Sequence, residues 1–178
     1  APRPTCPQSP ESDYDSFVRL MVSEGLSWRF EHDQASASGD GQSRHKLVIF
    51  DSQAEAPDTP GDPALRFHGV RATDLDDAID HFGARRQAAA NAVTISSWDP
   101  AQLLAPNAEL ASTLDAGDLP PLPVYDGSGE RIASSGAEDH AQLMLRALEL
   151  DNKVFEGQGA VRRLAPGYRF ELAQHERY

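Results

Sequence analysis

The feature that most constrains this chain is a change of hydrophobic period at Gly25. Before it, Phe17, Leu20 and Met21 recur at helical spacing, with Val18 and Val22 beside them. After it, Leu26, Trp28 and Phe30 alternate with Ser27, Arg29 and Glu31. A helix buries a stripe with a period of 3.6 and a strand buries a face with a period of 2, so the chain passes directly from one to the other here. The helix carries its own start signals. Ser12 can cap it, Asp15 completes a capping-box-like pattern three residues on, and Asp13 suits the positive helix start. Gly25 is the left-handed stop. His45–Phe50 reads as a second, more apolar strand, and Asp33–Arg44, rich in Gly, Ser, Ala, Asp and Gln, as the hairpin loop between the two. Trp28 and Phe30 are expected to face the helix, and Arg29 and Glu31 to face water. A helix with one hairpin is too small to bury itself, so this unit must lean on something else.

Residues 52–63, rich in Pro and acidic residues, read as a connector and a candidate domain boundary. Leu65–Val70 alternates as a strand. Leu75, Ala78, Ile79 and Phe82 sit at helical spacing, and the pattern predicts a short helix over Asp74–Phe82. Ala92–Trp98 is a strand. Residues 99–136 hold Pro106, Pro120, Pro121, Pro123 and four glycines, which predicts a long excursion with one short strand at Leu122–Asp126. Ser135 with Glu138 makes another capping-box pattern, opening a helix over 136–152 whose inner face is Ala141, Met144, Leu145 and Leu148. Phe155–Leu164 and Tyr168–Leu172 read as two strands around a Pro166-Gly167 turn. The expected class is α+β. A helix and β-hairpin subdomain covers 1–62, and a strand-rich, barrel-like subdomain covers 63–178 and contains one long helix.

Composition narrows the function classes. The formal net charge is −12, which repels phosphate backbones, and the nearest thing to a basic patch, Arg162-Arg163, is too small to offset it. Nucleic acid is therefore not an expected partner. No stretch approaches the roughly 18–20 apolar residues of a membrane span, and Ala1–Cys6 has no apolar core of a signal peptide. The first residue is not methionine, which is compatible with a truncated chain. One cysteine, Cys6, rules out an internal disulfide and any multi-cysteine zinc site.

The search for chemistry returns little. Cys6 lies in a Pro-rich segment with no helix start beside it to lower its pKa, so an incidental cysteine is the better reading. His32 and His45 bracket the hairpin loop, with Glu31, Asp33 and Asp51 nearby, and a metal site from two histidines and a carboxylate is conceivable. The plainer reading is polar strand ends, because a flexible loop does not supply rigid ligand spacing. Asp74, Asp76, Asp77 and Asp80 lack the glycine and the closing glutamate of a calcium loop and read as a solvated face. Gly127, Gly129, Gly157 and Gly159 are turn or hairpin glycines with no strand-to-helix setting for a phosphate. No catalytic residue, cofactor-binding residue or metal ligand is assigned, and no enzyme activity or cofactor is expected.

Several strings together resemble a known family. They are Gln8, Glu11-Ser12-Asp13, Phe17-Val18-Arg19-Leu20, Glu24-Gly25 and Trp28-Arg29-Phe30-Glu31-His32. His45-Lys46-Leu47-Val48-Ile49-Phe50-Asp51, the Trp98-Asp99 end of the Val93–Asp99 strand, and Phe155-Glu156-Gly157-Gln158-Gly159 continuing to Arg169-Phe170 complete the set. In this order they resemble the VgrG spike proteins of type VI secretion, over nearly the whole chain. The resemblance implies a phage-tail-hub-like fold and a structural role in the ring that joins the Hcp tube to the spike and helps deliver effectors. It implies partners: a homotrimer in the full-length protein, the Hcp tube protein, and effector or adaptor proteins. It implies assembly in the bacterial cytoplasm followed by secretion or injection.

The family's pattern also has a barrel ahead of Cys6, and an OB-fold and β-helical spike after Tyr178, none of which lies in this sequence. The segment alone is therefore expected to be a monomer or weak dimer. The family leans toward a strand over Asp74–Phe82, against the helical spacing, and implies a late hairpin from Phe155. Two other readings stand beside the structural one: an effector or toxin enzyme domain carried by the spike, and a stand-alone acidic binding module with 99–136 as its recognition loop.

Overall fold

The computed structural model describes residues 7–8, 10–33, 44–68, 77–99, 103–127 and 136–178. Among the described residues, two helices and nine strands alternate irregularly, an α+β arrangement. The strands form three sheets, and none of them closes into a barrel among the described residues. The chain divides into two compact units, one built on Gly83–Glu156 and the other on Gln8–Phe82 with Gly157–Tyr178. This division runs along different lines from the compositional one near residue 62, because strands β4 (Ala78–Arg86) and β8 (Lys153–Gly159) each pass from one unit into the other.

In the Gly83–Glu156 unit, β5 (Ala92–Ser96) is the centre of a three-stranded sheet, antiparallel to β6 (Asn107–Ala111) and parallel to β7 (Pro123–Asp126). Helix α2 (Ala137–Leu150) packs on it. Val93 and Ile95 of β5 are fully buried against Ala141 and Leu145 of α2, with Met144, Leu148, Ala108 and Leu110 packed around them. The inner helix face is the one expected from its periodicity. Its start is not: Gly136 occupies the N-cap without a side-chain bond, and Ser135 lies outside the described residues.

Strand β6 was not anticipated within the 99–136 excursion. Its signal is a two-residue alternation, Ala108 and Leu110, too short to stand out among prolines. The excursion is fastened rather than loose, mainly through Asn91. Its N–H donates to Leu122 O (3.1 Å), its Oδ1 accepts from Leu122 N (2.7 Å), and its C=O accepts from Ser112 N (2.8 Å).

In the other unit, β3 (Ala64–Phe67) lies parallel to both β4 and β9 (Glu171–Ala173), in a sheet ordered β8-β4-β3-β9. Leu65 and Ile79 form its buried apolar centre, with Thr59 buried beside the sheet. Two corrections follow. Ala78–Phe82 is strand, not helix: Arg66 and Phe67 stand in register with Ala78 and Ile79, and His68 N–H donates to Ile79 O (2.9 Å). Pairing on β3 outweighs a helical spacing of only four residues. The two C-terminal strands do not form a hairpin with each other, since β8 and β9 occupy opposite edges of the sheet. Gly159 shows why β8 can lie so close to β4. A Cβ there would overlap the Ala78 carbonyl oxygen and stand 2.8 Å from Ile79 Cα.

The connector before β3 is tied down as well. Thr59 donates through both its N–H and its hydroxyl to Arg169 O, each at 2.9 Å, and Arg169 N–H donates back to Pro57 O (2.9 Å). The Arg169 guanidinium pairs with Asp58 and Glu55 on the surface.

Candidate functional site

The most distinctive surface is the helix–hairpin region that begins the chain. Helix α1 (Asp13–Ser23) is capped by Ser12, whose hydroxyl accepts from Asp15 N–H at 3.1 Å. It ends in a Schellman motif. Leu26 N–H donates to Met21 O (2.8 Å), Gly25 N–H donates to Val22 O (3.1 Å), and Gly25 has φ 67°. Arg19 and Glu11 form a 2.6 Å ion pair along the helix entrance. The stop delivers the chain into β1 (Ser27–Asp33), which pairs antiparallel with β2 (Arg44–Phe50).

The register fixes what shares a face. Trp28 lies opposite Ile49, Phe30 opposite Leu47, and His32 opposite His45. Directly opposed residues project to the same side of a sheet, so these three pairs form one stripe. Only its Trp28 end meets the helix: Phe17 and Trp28 pack edge to face with ring centroids 5.2 Å apart. Phe30 is 53% exposed, Leu47 41% and Ile49 46%. The expectation that Phe30 faces the helix is thus corrected. α1 is 11 residues long and has no buried residue, too little to cover a seven-residue hairpin.

The opposite face corrects the expectation for Arg29. Its side chain is only 12% exposed and donates to Glu31 at 2.6 Å. The guanidinium lies 5.2 Å from the ring centroids of both Phe50 and Tyr168, a cation held between two aromatic rings. Periodicity marked Arg29 as a wet-face residue, and only the return of the chain through the Pro166-Gly167 turn brings Tyr168 to it.

The chemistry-bearing residues are dispersed. Glu31 is held by Arg29 on the face away from the histidines, and Asp51 accepts from Gln53 N–H and Ala54 N–H, both at 3.0 Å, in a turn. Neither carboxylate joins His32 and His45. No group of three or more metal-ligating side chains occurs among the described residues.

Of the acidic run, Asp77 is bonded by the Arg162 N–H and guanidinium, each at 3.1 Å, which holds its carboxyl below the usual carboxylate range, while Asp80 lies in β4. Asp74 and Asp76 lie outside the described residues, as do Cys6 and Gly129. Gly157 and Gly159 are part of β8 and cradle nothing. A hollow of about 210 Å³ is lined by Arg86, Gln87, Ala88, Ala116, Leu119 and Asn152, a set without a carboxylate, imidazole or thiol for acid–base or nucleophilic work. No helix among the described residues is long and apolar enough to cross a membrane.

Residues 1–178 match the phage tail baseplate hub (GPD) family. Two similar curated proteins are the type VI secretion system spike proteins VgrG1b and VgrG1a of Pseudomonas aeruginosa. They are 26% and 25% identical over 178 residues, in each case 97% of this chain but only 22% and 26% of the relative. VgrG1c of the same organism is 23% identical over 177 residues. The chain spans about a quarter of the length of these curated relatives. Matched along its whole length, the chain belongs to the phage tail baseplate hub (GPD) family.

Proposed function

We propose that this chain is a structural segment of a type VI secretion spike, forming part of the hub ring that joins the Hcp tube to the spike. In this reading it works by shape and contact, has no turnover of its own, and helps deliver effectors only as part of the assembled particle. The observation that carries the reading is the family match over all 178 residues, together with similarity to three spike proteins. The exposed apolar stripe of the hairpin supports it. Contiguous exposed apolar surface marks contact sites, and neighbouring copies in a homotrimeric hub are the occupants this reading assigns to it. The spike travels with its cargo, so the same reading has the protein assembled in the bacterial cytoplasm and then secreted.

The test places Phe30→Glu with Ile49→Glu in a full-length spike protein carrying this segment. Both side chains are about half exposed, so the isolated chain should keep its circular dichroism spectrum. Trimer formation and secretion should fall to background, while Cys6→Ser should leave both unchanged. Normal trimer formation and secretion by the double variant would overturn the assignment of this face.

A further inference from the structure

We propose that His32 and His45 form a two-imidazole binding site for a borderline divalent transition metal ion, of the zinc, nickel or copper class, clipping the loop end of the β1–β2 hairpin. Sequence spacing argues against such a site, because twelve intervening residues fix no geometry. Strand register fixes it instead. His32 and His45 are directly opposed partners on adjacent antiparallel strands, and their rings stand 6.4 Å apart at an interplanar angle of 51°. A metal ion binds an imidazole nitrogen at about 2.0–2.1 Å, which puts two coordinating rings with centroids roughly 5 Å apart at tetrahedral or square angles. Small rotations of two exposed side chains close that difference without moving the backbone.

The surroundings favour the site. Both histidines are exposed, so an ion reaches them from solvent. Among the described residues neither ring is hydrogen-bonded, and the nearest neighbour on the same face is Phe30, edge-on to His45 with centroids 6.1 Å apart. That contact orients His45 and offers no competing donor. Glu31 is committed to Arg29 on the other face, so water completes the coordination sphere. Two neutral nitrogen donors with water suit nickel, copper or zinc and do not suit calcium or magnesium. The ion would tie the two strands together next to their last pair, Asp33 and Arg44. This inference is independent of the proposed hub role.

The experiment is isothermal titration of the 178-residue chain with nickel chloride, for the unaltered chain and for His32→Ala, His45→Ala, His45→Gln and His140→Ala. Circular dichroism of each variant verifies the fold. The unaltered chain should bind one Ni²⁺ at this site. Two ligands held together act as one chelate, a gain of about 10²-fold or more over independent ligands. Each change at His32 or His45 should therefore weaken binding by about that factor, to the affinity of a single imidazole. His140→Ala, on helix α2, should leave the affinity unchanged. A loss of less than about tenfold in either single alanine variant would mean independent imidazoles and overturn the clip.

Discussion

Helices α1 and α2 are both laid against sheets, with opposite outcomes. Helix α2 rests on a three-stranded sheet and, with it, fully buries Val93, Ile95 and Ala141 and nearly all of Leu145. Helix α1 rests on a two-stranded hairpin and buries no residue of its own, leaving Tyr14 and Val22 two-thirds exposed and the Phe30, Leu47 and Ile49 stripe open. Both helices are amphipathic, so amphipathicity does not separate them. What separates them is the area each can cover: a third strand gives α2 a closed interface, and a lone hairpin cannot provide one. The first packing is complete within the chain, whereas the second retains apolar surface of the kind an assembling hub requires.

The largest effect expected from this contrast is at Ile95. Ile95→Ala removes three carbons from a fully buried site and should destabilise the chain by about 4 kcal/mol, within the range for such truncations. Chemical denaturation measures it, and a loss below about 1 kcal/mol would mean that the α2 interface is not the core described. Trp28→Ala comes next. Its ring meets Phe17 but stays half-buried, so its loss should be about 2–3 kcal/mol, at or below the low end for a truncated aromatic. A larger loss than at Ile95 would reverse the ranking of the two regions.

The smallest effect is electrostatic and falls on one side of the comparison. Among the described residues, two carboxyls are held below their usual range, Glu11 by the Arg19 guanidinium and Asp77 by Arg162, and both belong to the unit containing α1 and the hairpin. A carboxyl whose folded pKa is depressed stabilises the fold above its unfolded pKa, and that contribution is lost as pH falls through the folded value. Acidification from neutral pH should therefore leave stability flat until the ordinary carboxylate range, then weaken the α1 unit below it. Both pairs lie at the surface, so the change is modest and screened by salt. Hydrogen exchange followed against pH should show α1 amides losing protection before those of α2, and the reverse order would contradict the assignment.

These regions also differ in how much their residues disclosed. α1 was legible nearly to the residue, because Ser12, Asp15 and Gly25 act locally and a cap or a left-handed stop needs no distant partner. The α+β class, the inner face of α2 and strands β1, β2, β3 and β5 followed from periodicity in the same way. What escaped depends on residues far apart in sequence. Ala78–Phe82 became strand because β3 accepts it, β9 reached the far edge of the sheet from β8, and Arg29 was covered by Tyr168. That His32 and His45 bracket the loop and could face each other was legible, but their register was not fixed, since a loop's length says nothing of the register of the strands it joins. The proposed role in a spike came from the resemblance, not from any one residue's chemistry.

The most direct test of the central claim, that this segment assembles through surfaces it cannot cover alone, is the molar mass in solution. Association must overcome several kcal/mol of lost rigid-body freedom, and each copy approaches with a net charge of −12. Size-exclusion chromatography with light scattering, run on this chain and on a full-length spike protein containing it, should give a monomer or weak dimer for the chain at micromolar concentration and a trimer for the full-length protein. A stable trimer of the 178-residue chain at low micromolar concentration would contradict the claim, since the segment would then complete its own interface.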